Sequence, residues 1–530
     1  MGKVDEDSTG LLVKTVEDNT KTTVKEIREK DADVTLKLIE EWGDSVPDFT
    51  GEQAKLLSRK LWLTVVPILF TVNLMLFMDK NAMGYATLLG LFEDGHLTQE
   101  RYNNLQTFFY VGYLVGQVPS HLVFQRIRMS HYITGVTFIW SFLIFIQLAA
   151  YNYTALAIIR VLLGITESGV TASIQHTLAM FFTPAEQAPI IQIWWISCLA
   201  VGIPGGLIAY GVQFVNGVSP WKVYWSIIGV LTFALSVWSF FCYPDNPATF
   251  KLLSVHERVH VIRKVKAATH SSIEQKVLKK YQIVESLKDP VSWLFALHVF
   301  LLMLSNNIQF QQNIIFQDLG LTNLQSTIVS IVGAAFSSIL AIVGYILLVI
   351  FEQQSAHVSS IFCLVSLLGG ILAVSLPWSN KIGILAGIFL TNGTGITYIG
   401  GLSWSQSSAA GYTKRLSRTV LWFLAYSIVN LFASQIWRSK DSPRFYPAWL
   451  IIIIGSWVIS PLALEAIRLI LWRRNKKRIL WIQEVKEGNA EDVIGVVDEI
   501  DDSGIVEKRE VDVSMLDLTD LENKRFIYPL

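Results

Sequence analysis

Apolar residues run along this chain in stretches of about twenty, broken by short polar loops. A helix that crosses a bilayer needs about 20 mostly apolar residues. Twelve stretches qualify, near 61–78, 105–124, 132–151, 154–178, 190–213, 223–243, 292–316, 325–350, 356–376, 382–405, 417–437 and 446–472. The pattern predicts an all-α membrane protein of twelve transmembrane helices. Pro204 and the glycines around it fall inside the fifth, which membrane helices tolerate. Between the sixth and seventh lies a charged segment containing "HERVHVIRKVKAATHSSIEQKVLKKYQ", which divides the helices six and six. The expected organisation is a cytosolic tail (1–60), a six-helix half (61–243), a cytosolic linker (244–291), a second six-helix half (292–472) and a cytosolic C-terminal tail (473–530). Val255 to Val265 reads as a surface helix of the linker.

Composition agrees. Of 530 residues 52% are hydrophobic and only 16% charged, against about a quarter in a typical soluble domain. The mean hydropathy is +0.43. Net charge is zero, so nothing pulls the chain toward nucleic acid. Three cysteines, Cys198, Cys242 and Cys363, are scattered through apolar segments and read as small buried side chains. His121, His131 and His176 show no ligand spacing, so no metal site and no cofactor are expected. No apolar core lies near Met1, so the first apolar stretch is expected to act as an uncleaved signal anchor.

Lysine and arginine set the orientation, because cytosolic loops carry their excess. Lys55, Arg59 and Lys60 precede helix 1, and Arg126 and Arg128 follow helix 2. Arg258, Arg263 and Lys264 lie in the linker, Lys414 and Arg415 between helices 10 and 11, and Arg473, Arg474 and Arg478 after helix 12. All fall on one side, which places both termini in the cytosol. "WRSKDSPRF" (437–445) is the one basic loop on the other side. "YNYT" offers a glycosylation sequon at Asn152, too close to the bilayer for use. The acidic C-terminal tail reads as disordered, although its end, "DLTDLENKRFIYPL", turns aromatic and reads as a docking or trafficking signal or as a solvated tail.

Charges inside the apolar stretches are where chemistry is to be sought. "RVLLGITESGV" in helix 4 carries Arg160 and Glu167 seven residues apart. Seven residues turn a helix by about 700° and rise about 10 Å, so both side chains share one face. Gly164 between them leaves room for a bound group. A charge at that depth costs at least a few kcal/mol and persists only beside a partner, a cavity or a substrate. Arg160 suits an anionic substrate and Glu167 a proton. Asp79 and Lys80 follow the first apolar stretch, either as its interfacial end or as a second cation with its counter-charge. "SNNIQFQQN" in helix 7 is rich in amides, among them Asn306, Asn307 and Gln311, either pairing between helices or forming a polar wall. Asn392 is the polar atom source in the glycine-rich "TNGTGITYIGG" of helix 10, and Gln117 that of helix 2. No phosphate-binding loop and no nucleophile with a plausible triad occur, which excludes an ATP-driven pump and a membrane enzyme.

Twelve helices in two halves joined by a basic loop resemble the major facilitator superfamily. "RVLLGITES" resembles the helix 4 pattern Arg-x-x-x-Gly-x-x-Glu of its organic anion:cation symporters. "GQVPSHLVFQRIR", "YPDNPATFKLLSVHER", "IWRSKDSPRFYPAW" and "DLTDLENKRFIYPL" are similar to segments of the fungal allantoate permease family. The family's helix 4 pair falls on Arg160 and Glu167, and its helix 1 cation on Lys80, where arginine is commoner. Ala82, His121 and Pro189 stand where that family usually has asparagine, asparagine and arginine.

The resemblance implies a secondary transporter that moves a small organic anion with protons: a carboxylate, or an amino-acid-like solute such as cysteine, allantoate or a vitamin acid. Substrate binding is expected at Arg160, Lys80, Gln117, Asn306, Asn307, Gln311 and Asn392, and proton coupling at Glu167 and Asp79. The expected partners are the anionic solute, protons and the lipid bilayer, with no nucleic acid, and the chain is expected to work as a monomer. The plasma membrane is the expected location, with the endoplasmic reticulum as the alternative. A nutrient receptor of the same fold, with transport lost, is the competing function.

Overall fold

A computed structural model describes residues 5–6, 12–16, 24–28, 38, 42, 45–47, 49–150, 152–269, 279–351, 354–487, 495–500, 506–511 and 518–530. Among the described residues, eleven helices are long and apolar enough to cross a membrane. With the helix Gln99–Arg126 they make twelve, labelled in chain order: α1 (Gly51–Leu88), α2 (Gln99–Arg126), α3 (Met129–Leu148), α4 (Tyr153–Phe181), α5 (Ile193–Val212), α6 (Pro220–Cys242), α7 (Pro290–Asp318), α8 (Asn323–Ile350), α9 (Ser355–Ser375), α10 (Lys381–Ser407), α11 (Thr413–Ala433) and α12 (Tyr446–Lys486). Helix α2 has the length, 28 residues, but a more polar face, with Asn103, Gln106 and Gln117 along it. The all-α membrane architecture is therefore as the apolar pattern predicts.

Helix starts follow from capping. Thr50 accepts from the Gln53 amide while the Gln53 side chain accepts from Thr50 N, satisfying two backbone donors at the start of α1. Thr322 and Gln325 do the same for α8. The sequon residue Asn152 caps α4, its Oδ1 accepting from Ala155 N at 2.8 Å. Six of the helices are interrupted: α1, α4 and α5 by turns at Val65, Ser168–Gly169 and Val201, α7 by a 3-10 stretch at Met303–Asn307, α10 by one at Thr391–Gly393, and α12 by a π stretch at Ile453–Ile459.

The chain forms two compact units. One comprises residues 1–65, 176–187 and 244–276. The linker helix Val255–Thr269 belongs to it. Lys60 pairs with Glu257 at 2.8 Å, Lys264 pairs with Glu186, and Arg263 donates to Val46 O at 2.9 Å. Burial pushes the carboxyls of Glu186 and Glu257 up, but the lysines and backbone donors outweigh it and hold both below their ordinary values. This unit also holds a small antiparallel sheet, β1 (Asp5–Glu6), β2 (Leu12–Val16) and β3 (Val24–Arg28), in the order β1-β2-β3.

The other unit comprises 66–175, 188–243 and 277–530, and holds most of the membrane helices of both halves. Its C-terminal part departs from the expected disorder. Strands β4 (Gly495–Ile500) and β5 (Val506–Val511) pair antiparallel. Residues 518–530 pack on the helices, with Thr519, Asp520 and Tyr528 buried. Composition made this tail look solvated, but its last residues supply the apolar surface and hydrogen bonds that fix it.

Candidate functional site

Helix α1 does not end at Met78, as the charged pair after it suggests. Its inner segment, Val66–Leu88, is one helix of 23 residues, and Asp79 and Lys80 lie within it. Both are buried, at 1% and 9% exposure, as are Arg160 at 4% and Glu167 at 0% on α4. The interfacial alternative for Asp79 and Lys80 is thereby corrected: the helix carries them into the bundle.

The four charges form one group. Glu167 lies beside Asp79 and within the field of Lys80 and Arg160. Arg160 in turn feels Asp79 and Glu167. No carboxylate oxygen of Asp79 or Glu167 accepts a hydrogen bond among the described residues. The cations rest on rings and sulfur instead. Lys80 Nζ stands 5.1 Å from the ring centroids of Phe77 and Tyr113 and 5.7 Å from that of Phe109. Arg160 Nη2 approaches Met83 Sδ at 3.3 Å, and its guanidinium stands 5.4 Å from the Trp225 ring. Such cation–π contacts are worth about 2 kcal/mol when desolvated. Apart from Arg160 Nη2 on Met83 Sδ, they leave the donors of both cations without a hydrogen-bond partner among the described residues. Two acidic and two basic side chains thus share one buried, incompletely hydrogen-bonded cluster.

Gly164 does not leave space for a ligand. A Cβ there would stand 2.0 Å from Phe109 O, and one at Gly112 would stand 2.0 Å from Val161 O. Gly112 and Gly116, four residues apart on α2, let the backbones of α2 and α4 touch. The one-helix spacing shows which face Gly164 occupies, but not that a second helix fills it. The close crossing fixes α4 and so aims Arg160 and Glu167.

Rings extend from this cluster into the second half. Tyr110 and Tyr113 on α2 lie 6.1 and 6.5 Å from Tyr426 on α11. Tyr426 lies 5.9 Å from Tyr398 on α10, which meets Trp195 on α5 at 5.3 Å and Trp422 at 5.5 Å. Asn73, buried one turn before Phe77, donates to Ser197 Oγ and Cys198 Sγ, both at 3.0 Å. None of these residues stands out in a chain with 29 phenylalanines and 17 tyrosines. Only their positions on facing helices mark them.

The expected amides divide. Gln117 donates to Ser168 O at 3.2 Å, next to Glu167. Asn306 donates to Tyr110 OH at 3.2 Å and to Asn430 Oδ1 at 2.7 Å, joining the ring cluster. Asn307 is buried, and its Nδ2 has no hydrogen-bond partner among the described residues. Gln311 is not near the charges by any contact. It donates to Asn103 Oδ1 at 2.9 Å and accepts from Gln99 at 2.8 Å, at the side of the bundle where α1 ends and α2 begins. Asn392 lies half-buried in the 3-10 turn of α10, with no hydrogen bond to the four charges.

A family model described as Major Facilitator Superfamily matches residues 69–438, well over half of the chain. The chain belongs to the major facilitator superfamily. It is 43% identical over 484 residues to an uncharacterized transporter of Schizosaccharomyces pombe, covering 91% of this chain and 85% of the relative. It is 42% identical over 507 residues to the high affinity cysteine transporter of Saccharomyces cerevisiae, covering 94% and 95%. The allantoate permease of that yeast is 27% identical over 517 residues, covering 94% and 90%. Among solved structures, the D-xylose-proton symporter superimposes with a TM-score of 0.56 at 12% identity, covering 74% of this chain and 95% of that one. A bacterial homolog of the human lysosomal transporter Spinster, inward-facing and unoccupied, gives 0.54 at 14%, covering 76% and 94%. At that identity the likeness shows the fold alone. The chain is thus a multi-pass membrane transporter of this superfamily, and its relatives and fold are not those of enzymes.

Proposed function

We propose that this transporter is a proton-coupled symporter of a small organic anion or amino-acid-like solute, with cysteine the first candidate. The observation that carries the reading is the charge balance of the buried cluster: Asp79 and Glu167 against Lys80 and Arg160. A solute carboxylate drawn to Arg160 and Lys80 takes up the cations that face Asp79 and Glu167, whether the solute is an anion or the carboxylate end of zwitterionic cysteine, and leaves an acid locally unpaired in a region where that costs several kcal/mol. One proton on Glu167 or Asp79 restores neutrality. Binding and protonation then favour each other, which is the thermodynamic requirement for symport. Cysteine leads because the 42%-identical relative is a cysteine transporter.

In this reading Arg160 and Lys80 hold the carboxylate, and Glu167 carries the proton with Asp79 as its neighbour. Gln117, Asn306 and Asn307 orient the rest of the solute. The lysine- and arginine-rich loops put both termini in the cytosol. The side where Gln311 meets Asn103 is then the outer one. Thr107 adds bonds there, to Leu431 O at 3.2 Å and Ser434 Oγ at 2.9 Å. These contacts join the halves on the outer side and suit a carrier closed to the exterior. Gln311 thus serves the gate rather than the solute.

The test is uptake of labelled cysteine, allantoate, nicotinate, pantothenate, biotin and simple monocarboxylates at pH 5 and pH 7, in cells lacking their own carriers. One solute taken up faster at pH 5, and lost in Arg160→Ala, is the expected outcome. No uptake of any, with the protein at the cell surface, overturns the transport of this class.

A further inference from the structure

The last thirteen residues make more contacts than a tail needs. Asp520 Oδ1 lies 2.8 Å from Lys414 Nζ and accepts from Ala410 N at 3.3 Å, at the start of α11. Its other oxygen accepts from Tyr528 OH at 2.8 Å. Tyr528 exchanges two bonds with Asn475 of α12, its N donating at 2.9 Å and its O accepting at 2.8 Å. The Arg478 guanidinium covers the Tyr528 ring at 4.4 Å and donates to its hydroxyl at 3.0 Å. Trp404 of α10 donates to Pro529 O at 2.8 Å, and Ser355, the first residue of α9, donates to Leu530 O at 2.9 Å. Thr519 Oγ1 donates to Glu285 of the linker helix Lys280–Lys288 at 3.0 Å. One short segment therefore bonds to the ends of α9, α10, α11 and α12 and to a linker helix.

Its seat is also electrically incomplete without it. Lys414 is fully buried and pairs with Glu285 at 2.7 Å as well as with Asp520. Arg418 and Arg474 share Asp289, at 3.2 and 2.8 Å. Take Asp520 away, and three cations face two carboxylates, with Arg478 a fourth cation at the rim. A buried charge stripped of its partner is strongly destabilising. Asp520 closes that balance.

We propose that the second half carries a basic socket, formed by Lys414, Arg474, Arg478 and Asn475, that binds the chain's own segment 518–530 as a separable ligand and needs it to hold the helix ends together. The segment begins some thirty residues beyond the end of α12, so it reaches its seat as a tethered peptide rather than as a continuation of the helix. The covalent connection makes binding of the segment intramolecular, which keeps a modest ligand seated. Recognition is by an acidic residue eight positions before a tyrosine, with Pro529 and Leu530 closing the end.

The test uses the purified carrier truncated after residue 517 and a synthetic peptide of residues 518–530. The truncated protein is expected to melt several degrees below the full chain, and the peptide to restore the difference saturably. Asp520→Lys in the peptide sets a cation against Lys414, and Thr519→Glu sets a carboxylate against Glu285. Each is expected to weaken the rescue about tenfold or more. If the truncated carrier fails to fold, a protease site inserted between Ser514 and Met515 of the full chain, beyond the β4–β5 pair, allows the cut after purification. Release of the fragment on dilution and a lowered melting temperature are then expected. An unchanged melting temperature on truncation or cleavage, or equal rescue by the Asp520→Lys peptide, overturns the proposal.

Discussion

Gln311 on α7 donates its amide to Asn103 on α2 at 2.9 Å, tying one half of the transporter to the other. Asn103 passes its own amide on to Trp437 O at 2.6 Å, and Gln99 donates to Gln311 at 2.8 Å. The sequence leaves these amides either pairing between helices or forming a polar wall, and at Gln311 the pairing is seen, a contact proposed above as a clasp. A hydrogen bond of this kind is worth about 1 kcal/mol net, or about a fivefold change in an equilibrium. Gln311→Ala is expected to raise the population open on that side by about that factor. Labelling of a cysteine at Met83, buried beside Arg160, by an impermeant thiol reagent from outside reads it out. An unchanged labelling rate speaks against the clasp.

Arg160 is expected to be irreplaceable by size or charge alone. Arg160→Lys keeps the charge but loses the planar donor pair that suits a carboxylate. Hydrogen bonds to charged groups are worth about 1.5–3 kcal/mol, so the ratio of maximal rate to half-saturating concentration should fall about 10- to 150-fold. Arg160→Ala should abolish measurable uptake. Surface abundance, measured alongside, separates this from misfolding.

Gly164→Ala is expected to damage the fold rather than the chemistry. Its Cβ meets the Phe109 carbonyl at 2.0 Å, so α2 and α4 must move apart. Overpacking of this kind costs about 1–3 kcal/mol. The melting temperature of the detergent-purified protein should drop, while Gly135→Ala, with nothing within 4 Å of its Cβ, should leave it unchanged. Equal melting of the two variants contradicts the close crossing.

The charge cluster around Asp289, at the start of α7, has a defined response to acid. Burial pushes the Asp289 carboxyl up, but Arg474, Arg418 and Lys414 outweigh it and hold it below its usual value. A depressed carboxylate lends stability that is complete above its unfolded value, about pH 4. That stability is lost as pH falls through the lower folded value. Melting temperature should therefore be unaffected by this group from pH 8 to pH 5. Asp289→Asn should lower it across that whole range and narrow the gap to the unmodified protein only below about pH 4. Stimulation of uptake between pH 7 and pH 5 must then come from another group.

Much of the fold is legible in the apolar pattern, because a bilayer demands long apolar helices whatever packs against them. The site is legible only where it breaks that pattern. Arg160, Glu167, Asp79 and Lys80 are conspicuous as charges among apolar residues. Tyr113, Tyr398 and Tyr426 are not, since an aromatic in a membrane helix is ordinary and its partner lies on another helix hundreds of residues away. The same blindness explains Gly164, whose neighbour Phe109 belongs to α2. The docked tail was half visible: its acidic composition argues for solvation, but "RFIYPL" supplies the tyrosine and terminal leucine that seat it. Linear composition cannot show that Asp520 has a buried lysine waiting.

Substrate-driven proton movement tests the central claim most directly. The carrier and its Glu167→Gln variant are reconstituted into liposomes holding a pH-sensitive dye, and cysteine is added outside without any other gradient. The intact carrier should acidify the lumen as cysteine enters. Glu167→Gln should lose that acidification while still exchanging labelled for unlabelled cysteine, because a permanently neutral side chain matches the loaded, protonated state but carries no proton. Acidification by the variant equal to that of the intact carrier, at equal cysteine entry, would contradict a proton route through Glu167.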